Sequence, residues 1–337
     1  MQGVKNVKKI INHPEHVVTE MLEGLVAAYP NQLKLIDGRA VVTRKDVPVA
    51  NKVGIISGGG SGHEPAHAGY VGQGMLDAAV AGEVFTSPTP DQILEAIKAV
   101  DSGKGVFMVV KNYTGDVMNF DMAAELAEME GIQVDKVVVN DDVAVEDSTF
   151  TTGRRGIAGT ILVHKIAGAK AEMGATLADV KAVSEKVVKN VRSMGMAISP
   201  CTPPAVGKPS FTLGENEMEI GLGIHGEPGT ERKPLATADE IAEELTDHIF
   251  KDMPLSSGDE VAVMINGLGA TPEMELFIVN RKVNQILKEK GIGVYETFVG
   301  NFMTSLEMAG CSVTLLKLDD ELKDLLAAHA NTPAFKK

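Results

Sequence analysis

Residues 53–65 read Val-Gly-Ile-Ile-Ser-Gly-Gly-Gly-Ser-Gly-His-Glu-Pro, a short apolar run that passes directly into four glycines in five residues. No other stretch narrows the fold as much. Glycine has no Cβ, reaches φ > 0 freely and lets amide N–H groups point at a bound oxygen. Consecutive glycines also cost chain entropy on folding. The reading is therefore a strand, Val53–Ser57, that feeds a glycine-rich ligand loop ending in the imidazole of His63. Three named motifs compete for these residues. A phosphate-binding P-loop needs Lys after its last glycine, and none follows. A dinucleotide fingerprint framed on Gly58 and Gly60 puts His63 where the third glycine belongs. His63-Glu64-Pro65-Ala66-His67 matches the zinc pattern H-E-x-x-H. That motif needs both histidines on one continuous helix, and Pro65 disfavours helix at Glu64 and cannot donate within one.

The chain around this stretch alternates strand, polar loop and helix. Val17, Val18, Met21, Leu22, Leu25 and Val26 fall at helical spacing within 10–30. Leu33–Ile36 and Ala40–Val42 read as short strands. Thr89, Pro90 and Gln92 form a helix start with a capping box, and the helix runs to about Val100. Gly105–Val110 is a continuous apolar run typical of a strand covered on both faces, followed by Lys111–Asp116. A helix over about 119–130 stops at Gly131, and Val134–Val139 is the next strand. Polar segments 58–63, 111–116 and 140–146 thus leave the ends of successive strands, where α/β sheets bind ligands. Helices are expected over 156–174 and 176–195, an irregular proline-rich segment over 200–214, and a strand ending at Ile224 before His225. A capping box at Thr237–Glu240 opens a helix. Strands at 260–265, 293–298 and 311–318 alternate with helices at 272–290 and 320–329. The fold class is α/β: two α/β domains, 1–190 and 191–337, each on a central β-sheet flanked by helices. The 337-residue length fits two cores, and 44% apolar residues suffice to fill them.

Composition excludes several partners. A net charge of −14 disfavours nucleic acid, and with no Trp and four Tyr the chain lacks stacking platforms for bases. No apolar run is long enough to span a membrane, and no signal-type core follows the first residues. Two cysteines, Cys201 and Cys311, fit free thiols in a cytoplasmic protein.

Two constellations can carry chemistry. His63, His225, Asp116 and Lys111 each follow a strand; an imidazole can act as base or nucleophile near neutral pH, and a carboxylate can accept a hydroxyl proton. Asp116, Asp141, Asp142 and Glu146 could bind Mg²⁺, although a solvated acidic loop is the preferred reading. Arg154 and Arg155 fit either a phosphate site or a surface ion pair.

Gly58–Pro65, Gly82–Pro90, Lys111–Asp116 (KNYTGD), Gly207–Phe211 (GKPSF), Gly223–Pro228 (GIHGEP) and Asn266–Pro272 (NGLGATP) together resemble the dihydroxyacetone kinase K-subunit family, in family order from about residue 8 to 334. The resemblance implies a dihydroxyacetone site in which His225 adds to the ketone as a hemiaminal. His63 is then an acid–base partner, Asp116 contacts a substrate hydroxyl, and Gly60, Ser61, Gly62 and Lys111 make the remaining contacts. No nucleotide motif is present, and single-chain ATP-dependent relatives continue into a further nucleotide domain. The resemblance therefore points to the phosphotransferase-system type. There an L subunit holds ADP and Mg²⁺, an M subunit recharges it, and the K subunit binds no metal or cofactor and forms a homodimer. A co-activator paralogue that senses dihydroxyacetone without phosphorylating it is the alternative. A kinase using ATP alone is disfavoured. The short connection Lys251–Gly258, where some members carry an insertion, affects surface contacts only.

Overall fold

The computed structural model describes residues 8–144, 153–227 and 229–337. In the first half, α1 (Val17–Ala28) precedes β1 (Leu33–Leu35), β2 (Val41–Arg44), β3 (Gly54–Ser61) and β4 (Ala78–Val84). Then come α2 (Pro90–Val100), β5 (Val106–Lys111), α3 (Thr114–Met129) and β6 (Val134–Val139). These strands make one six-stranded sheet in the order β1-β2-β4-β3-β5-β6. The four strands β4, β3, β5 and β6 are mutually parallel, and β1 and β2 extend the edge antiparallel. In the second half, α4 (Thr160–Glu172) and α5 (Leu177–Asn190) lead to β7 (Val191–Ala197), β8 (Glu217–Ile220) and β9 (Glu231–Pro234). α6 (Ala238–Asp252), β10 (Glu260–Gly267), α7 (Glu273–Glu289), β11 (Gly293–Gly300), β12 (Gly310–Leu318) and α8 (Asp320–Ala327) complete it. The second sheet also has six strands, ordered β11-β10-β12-β7-β8-β9, and is antiparallel except for the β10–β11 pair. The α/β class with two helix-flanked sheets expected from the sequence is the fold observed.

The layering follows from which faces are apolar. α2 and α3 cover one face of the first sheet through Ile93, Ile97, Phe120 and Ala123. The other face, with Ile55, Phe107 and Val109, packs on Ile161, Leu162 and Ile166 of α4 and Val180, Val183 and Val187 of α5. The same cluster takes in Leu322, Leu325 and Leu326 of α8 and Ala262, Met264, Leu316 and Leu318 of the second sheet. The two sheets thus share a middle helical layer, and α6 and α7 close the outer face of the second sheet. Among the described residues no helix is long and apolar enough to cross a membrane.

Four local expectations need correction. The glycines are not a loop. Gly58–Ser61 belongs to β3, buried and paired to β4. The chain needs glycine there because a Cβ at Gly58 would stand 2.4 Å from the Val80 carbonyl oxygen, and one at Gly60 2.6 Å from the Thr86 nitrogen. The helix expected over 119–130 starts at Thr114, so the KNYTGD motif ends inside its first turn. The helix expected to reach Gly195 stops at Asn190, because Val191–Ala197 pairs with β12 instead. The capping box expected at Thr237–Glu240 forms and Thr176 with Asp179 makes a second one, whereas the Thr89 hydroxyl turns to Asp91 and leaves α2 without a side-chain cap.

Candidate active site

His63 follows β3, Lys111 ends β5 and Asp116 lies in the first turn of α3, so all three stand at the carboxyl edge of the parallel strands. Gly62, at φ +102°, turns the chain out of β3 in a conformation that favours glycine. His225 comes from the loop after β8 in the other sheet, yet its ring meets the His63 ring edge-on at 4.7 Å between centroids. Tyr113 also meets it edge-on, at 4.6 Å, and Phe85 packs beside the two histidines, stacked on His63 and edge-on to His225. The structure therefore brings together His63, His225, Lys111 and Asp116. Gly60, Ser61 and Gly62 form the adjoining backbone, with the Ser61 hydroxyl committed to the Gly82 carbonyl at 2.7 Å.

The second half of the chain sets the chemistry of His63. Asn266 accepts hydrogen bonds from the Phe302 and Met303 backbone N–H groups at 2.8 and 3.0 Å, and it donates to the Met303 carbonyl at 2.8 Å. This holds the segment after β11 against residues 62–70. There His63 Nδ1 lies 2.7 Å from the Thr304 carbonyl, and Tyr70 donates to the Phe302 carbonyl at 2.6 Å. A carbonyl only accepts, so Nδ1 carries the proton and Nε2 the lone pair. Burial, the Lys111 charge and His225 hold His63 well below the usual imidazole range. We expect an NMR titration to find the His63 ring still neutral at pH 6.5, where an ordinary imidazole is half protonated. Protonation near that pH would show that water reaches the ring.

Three buried polar atoms around His225 lack a hydrogen-bond partner among the described residues: His63 Nε2, Lys111 Nζ and the Tyr113 hydroxyl. Buried polar groups are nearly always paired, so three together define a place where a polar ligand contributes. Lys111 is fully buried, and that burial lowers its pKa against the opposing pull of Asp116 and Glu227. Lys111 and Asp116 both approach Gly59, where a Cβ would stand 3.2 Å from Lys111 Nζ and 3.5 Å from Asp116 Oδ2. The other Asp116 oxygen accepts from the Ser87 hydroxyl at 2.5 Å. The carboxylate sits in the first turn of α3, at the positive end of that helix.

The acidic constellation behaves differently from either expectation. Asp141 and Asp142 are buried, not solvated. Asp141 accepts from the Ile157 and Gly159 backbone N–H groups at 2.8 Å each and from Ser193 at 2.5 Å. Asp142 pairs with Arg155 at 2.8 Å, and burial raises its pKa to about 6 against that pairing. Arg155 also donates to the Gly221 carbonyl at 2.8 Å, anchoring the His225 loop, while Arg154 pairs with Asp252. Among the described residues no group of three such side chains could hold a metal ion. Glu146 lies outside the described residues.

Several residues of the site were not visible as such in the sequence. Thr304, Asn266 and Arg155 act across long sequence separations, and Ser87, Phe85 and Tyr113 carry no distinctive spacing. Glu227 lies within GIHGEP but draws notice only once its carboxylate is seen against the His225 ring, 2.8 Å from Nδ1.

The Dak1 domain family model matches residues 23–334. The chain is 56% identical to a Listeria innocua protein named PTS-dependent dihydroxyacetone kinase 1, dihydroxyacetone-binding subunit DhaK, over 98% of this chain and 100% of that one. Its fold is similar to the dihydroxyacetone kinase of C. freundii, with a TM-score of 0.89 and 36% identity over 98% of this chain and 60% of that one. It is also similar to the dihydroxyacetone kinase operon co-activator Dha-DhaQ, with a TM-score of 0.88 and 38% identity over 94% of this chain and 97% of that one.

Proposed function

The chain belongs to the Dak1 domain family, and from that premise we propose that it is the dihydroxyacetone-binding subunit of a PTS-dependent dihydroxyacetone kinase. The observation that carries this reading is the set of unpartnered buried polar atoms on residues grouped with His225. A small polyhydroxylated carbonyl compound supplies hydroxyls for His63 Nε2, Lys111 Nζ and the Tyr113 hydroxyl, and an electrophilic carbon for the His225 ring. Glycerol offers the hydroxyls without that carbon, so the covalent step selects ketone over alcohol.

In this reading a His225 ring nitrogen adds to the ketone and tethers it as a hemiaminal. His63 Nε2, kept neutral by its buried surroundings, accepts the hydrogen bond of the hydroxyl so created and serves as its acid–base partner. Lys111 donates to substrate oxygen. The backbone of Gly60, Ser61 and Gly62 borders the substrate, since their side chains are absent or already bonded. Asp116 accepts the proton of the terminal hydroxyl as that oxygen attacks phosphorus, the tether having aligned it beforehand. The phosphoryl donor is ADP-derived ATP with Mg²⁺ on a separate L subunit, recharged by an M subunit, and the working form of this chain is a homodimer.

The test is turnover of dihydroxyacetone in two mixtures, one with ATP alone and one with L and M subunits and the phosphotransferase proteins. Product only in the second mixture is the expected result. Product with ATP alone would make the chain a self-sufficient kinase. Product in neither, with a ketone adduct on His225, would assign it to the sensing role that its likeness to the co-activator structure raises.

A further inference from the structure

The bond between His225 and Glu227 decides something that adduct chemistry requires, namely which ring nitrogen has the lone pair. We infer that Glu227 is a positioning residue that keeps the proton on His225 Nδ1, and so makes Nε2 the nucleophile. This rests on the reading of His225 as the carbonyl nucleophile given above.

The geometry is unambiguous about the proton. One Glu227 oxygen lies 2.8 Å from Nδ1, and the other accepts the backbone N–H of His225 at 2.9 Å. An ionised carboxylate only accepts, so both nitrogens facing it must carry hydrogen. Two oxygens on two donors of one residue also fix the ring's orientation. The other rings around His225 are those of His63, Phe85 and Tyr113, all edge-on to it. Burial alone would raise the Glu227 carboxyl. Its hydrogen bonds from the His225 ring and backbone N–H outweigh that and hold it well below the usual carboxylate range.

Glu227 has a charged neighbour on the loop. A Cβ on Gly223 would stand 2.0 Å from Glu227 Oε2 and 2.6 Å from Arg155 Nη1, so carboxylate and guanidinium crowd the same side of the loop, and Gly223 leaves them room. Arg155 is itself fixed by Asp142 and the Gly221 carbonyl. The buried Asp142–Arg155 pair, which the mechanism does not otherwise use, thus places a positive charge near Glu227 and pins the loop that carries it.

The step balances. The Nε2 lone pair forms the bond to the carbonyl carbon, and the C=O π pair moves to oxygen, which takes up one proton. The ring is now cationic and lies against the Glu227 carboxylate. Release of the Nδ1 proton through that carboxylate returns one proton, so the neutral adduct forms with no net uptake and no other reactant.

Two measurements test this. The first is 15N NMR of the His225 ring in the wild-type chain, where the expected signature is the Nδ1–H tautomer. The second is Glu227→Gln, followed by 13C NMR with dihydroxyacetone labelled at the keto carbon. A Gln side chain has one accepting oxygen for two donors. When that oxygen stays on the backbone N–H, its amide group faces Nδ1 and favours the Nε2–H tautomer. The expected result is an unchanged melting curve, a shifted tautomer and adduct formation reduced about a hundredfold or more, as when a catalytic imidazole is held in the wrong tautomer. A wild-type ring in the Nε2–H form would overturn the inference without recourse to any variant, as would wild-type adduct formation by the folded Glu227→Gln chain. Absence of an adduct in the wild-type chain itself would sink the underlying reading of His225, and the role of Glu227 with it.

Discussion

Asp116→Asn leaves the ketone adduct in place and lowers kcat by about two to four decades, the usual worth of a positioned general base. The substitution is nearly isosteric. An Asn oxygen can still accept from the Ser87 hydroxyl, which now bonds the carboxylate at 2.5 Å, so the start of α3 keeps its shape. Adduct formation draws on His225 and its neighbours and is expected to persist, visible by 13C NMR of the labelled keto carbon. What the amide cannot do is take the proton from the hydroxyl that attacks phosphorus. The prediction is therefore a split, with binding retained and turnover lost. Turnover at the wild-type level, at matched protein concentration in the reconstituted system, would refute the assignment of Asp116. Loss of both adduct and turnover would instead make Asp116 part of the binding apparatus.

The largest effect on stability is expected far from the site, at Asp77. This carboxylate is 1% exposed and bonds both Arg44, at 3.1 Å, and Lys52, themselves 7% and 5% exposed. It also accepts the Ile55 backbone N–H at 2.8 Å, tying the charge cluster to β3. Asp77→Ala leaves Lys52 with the Val53 carbonyl at 3.2 Å and Glu172 at 3.9 Å. Removing one member of a buried ion pair strands the other charge, at a cost of about 3–5 kcal/mol. Urea unfolding should show that loss as a lower midpoint with an unchanged slope. A midpoint within experimental error of the wild type would mean that water reaches the cluster.

The strands and helices that stand alone in the sequence were legible because local signals sufficed. Val106–Val110 is an apolar run of strand length, Val134–Val139 is rich in β-branched valine, and Thr237 with Glu240 writes its own helix start. β4 was not legible, since Ala78-Ala79-Val80-Ala81-Gly82 has little strand propensity and is extended because β2 and β3 pair with it on either side. β7 was lost for the converse reason: its residues continue a helical pattern until β12 claims them. The candidate site residues came from motifs, and the structure brings His63, His225, Lys111 and Asp116 to one place. Their supports were hidden. Nothing near Thr304 in the chain announces that its carbonyl holds a ring 241 positions earlier. Arg155 reads as half of a basic pair, fit for a phosphate, an acidic partner or a surface ion pair, and is instead buried against Asp142, because burial is decided by tertiary packing that a charge pattern does not encode.

The shared middle layer has a consequence for how such a protein can be inherited. α4 packs on the first sheet, α8 on the second and α5 on both, and α4 and α8 pack on each other, so that one apolar cluster joins the sheets. Separating the sheets would leave whichever one lost that layer with a bare hydrophobic face. The His63 tautomer and the position of the His225 loop would go with it. The smallest portable piece is accordingly the pair. Recombination that joins this chain to another should occur outside both sheets, and a fragment that keeps only one of the two sheets should be insoluble.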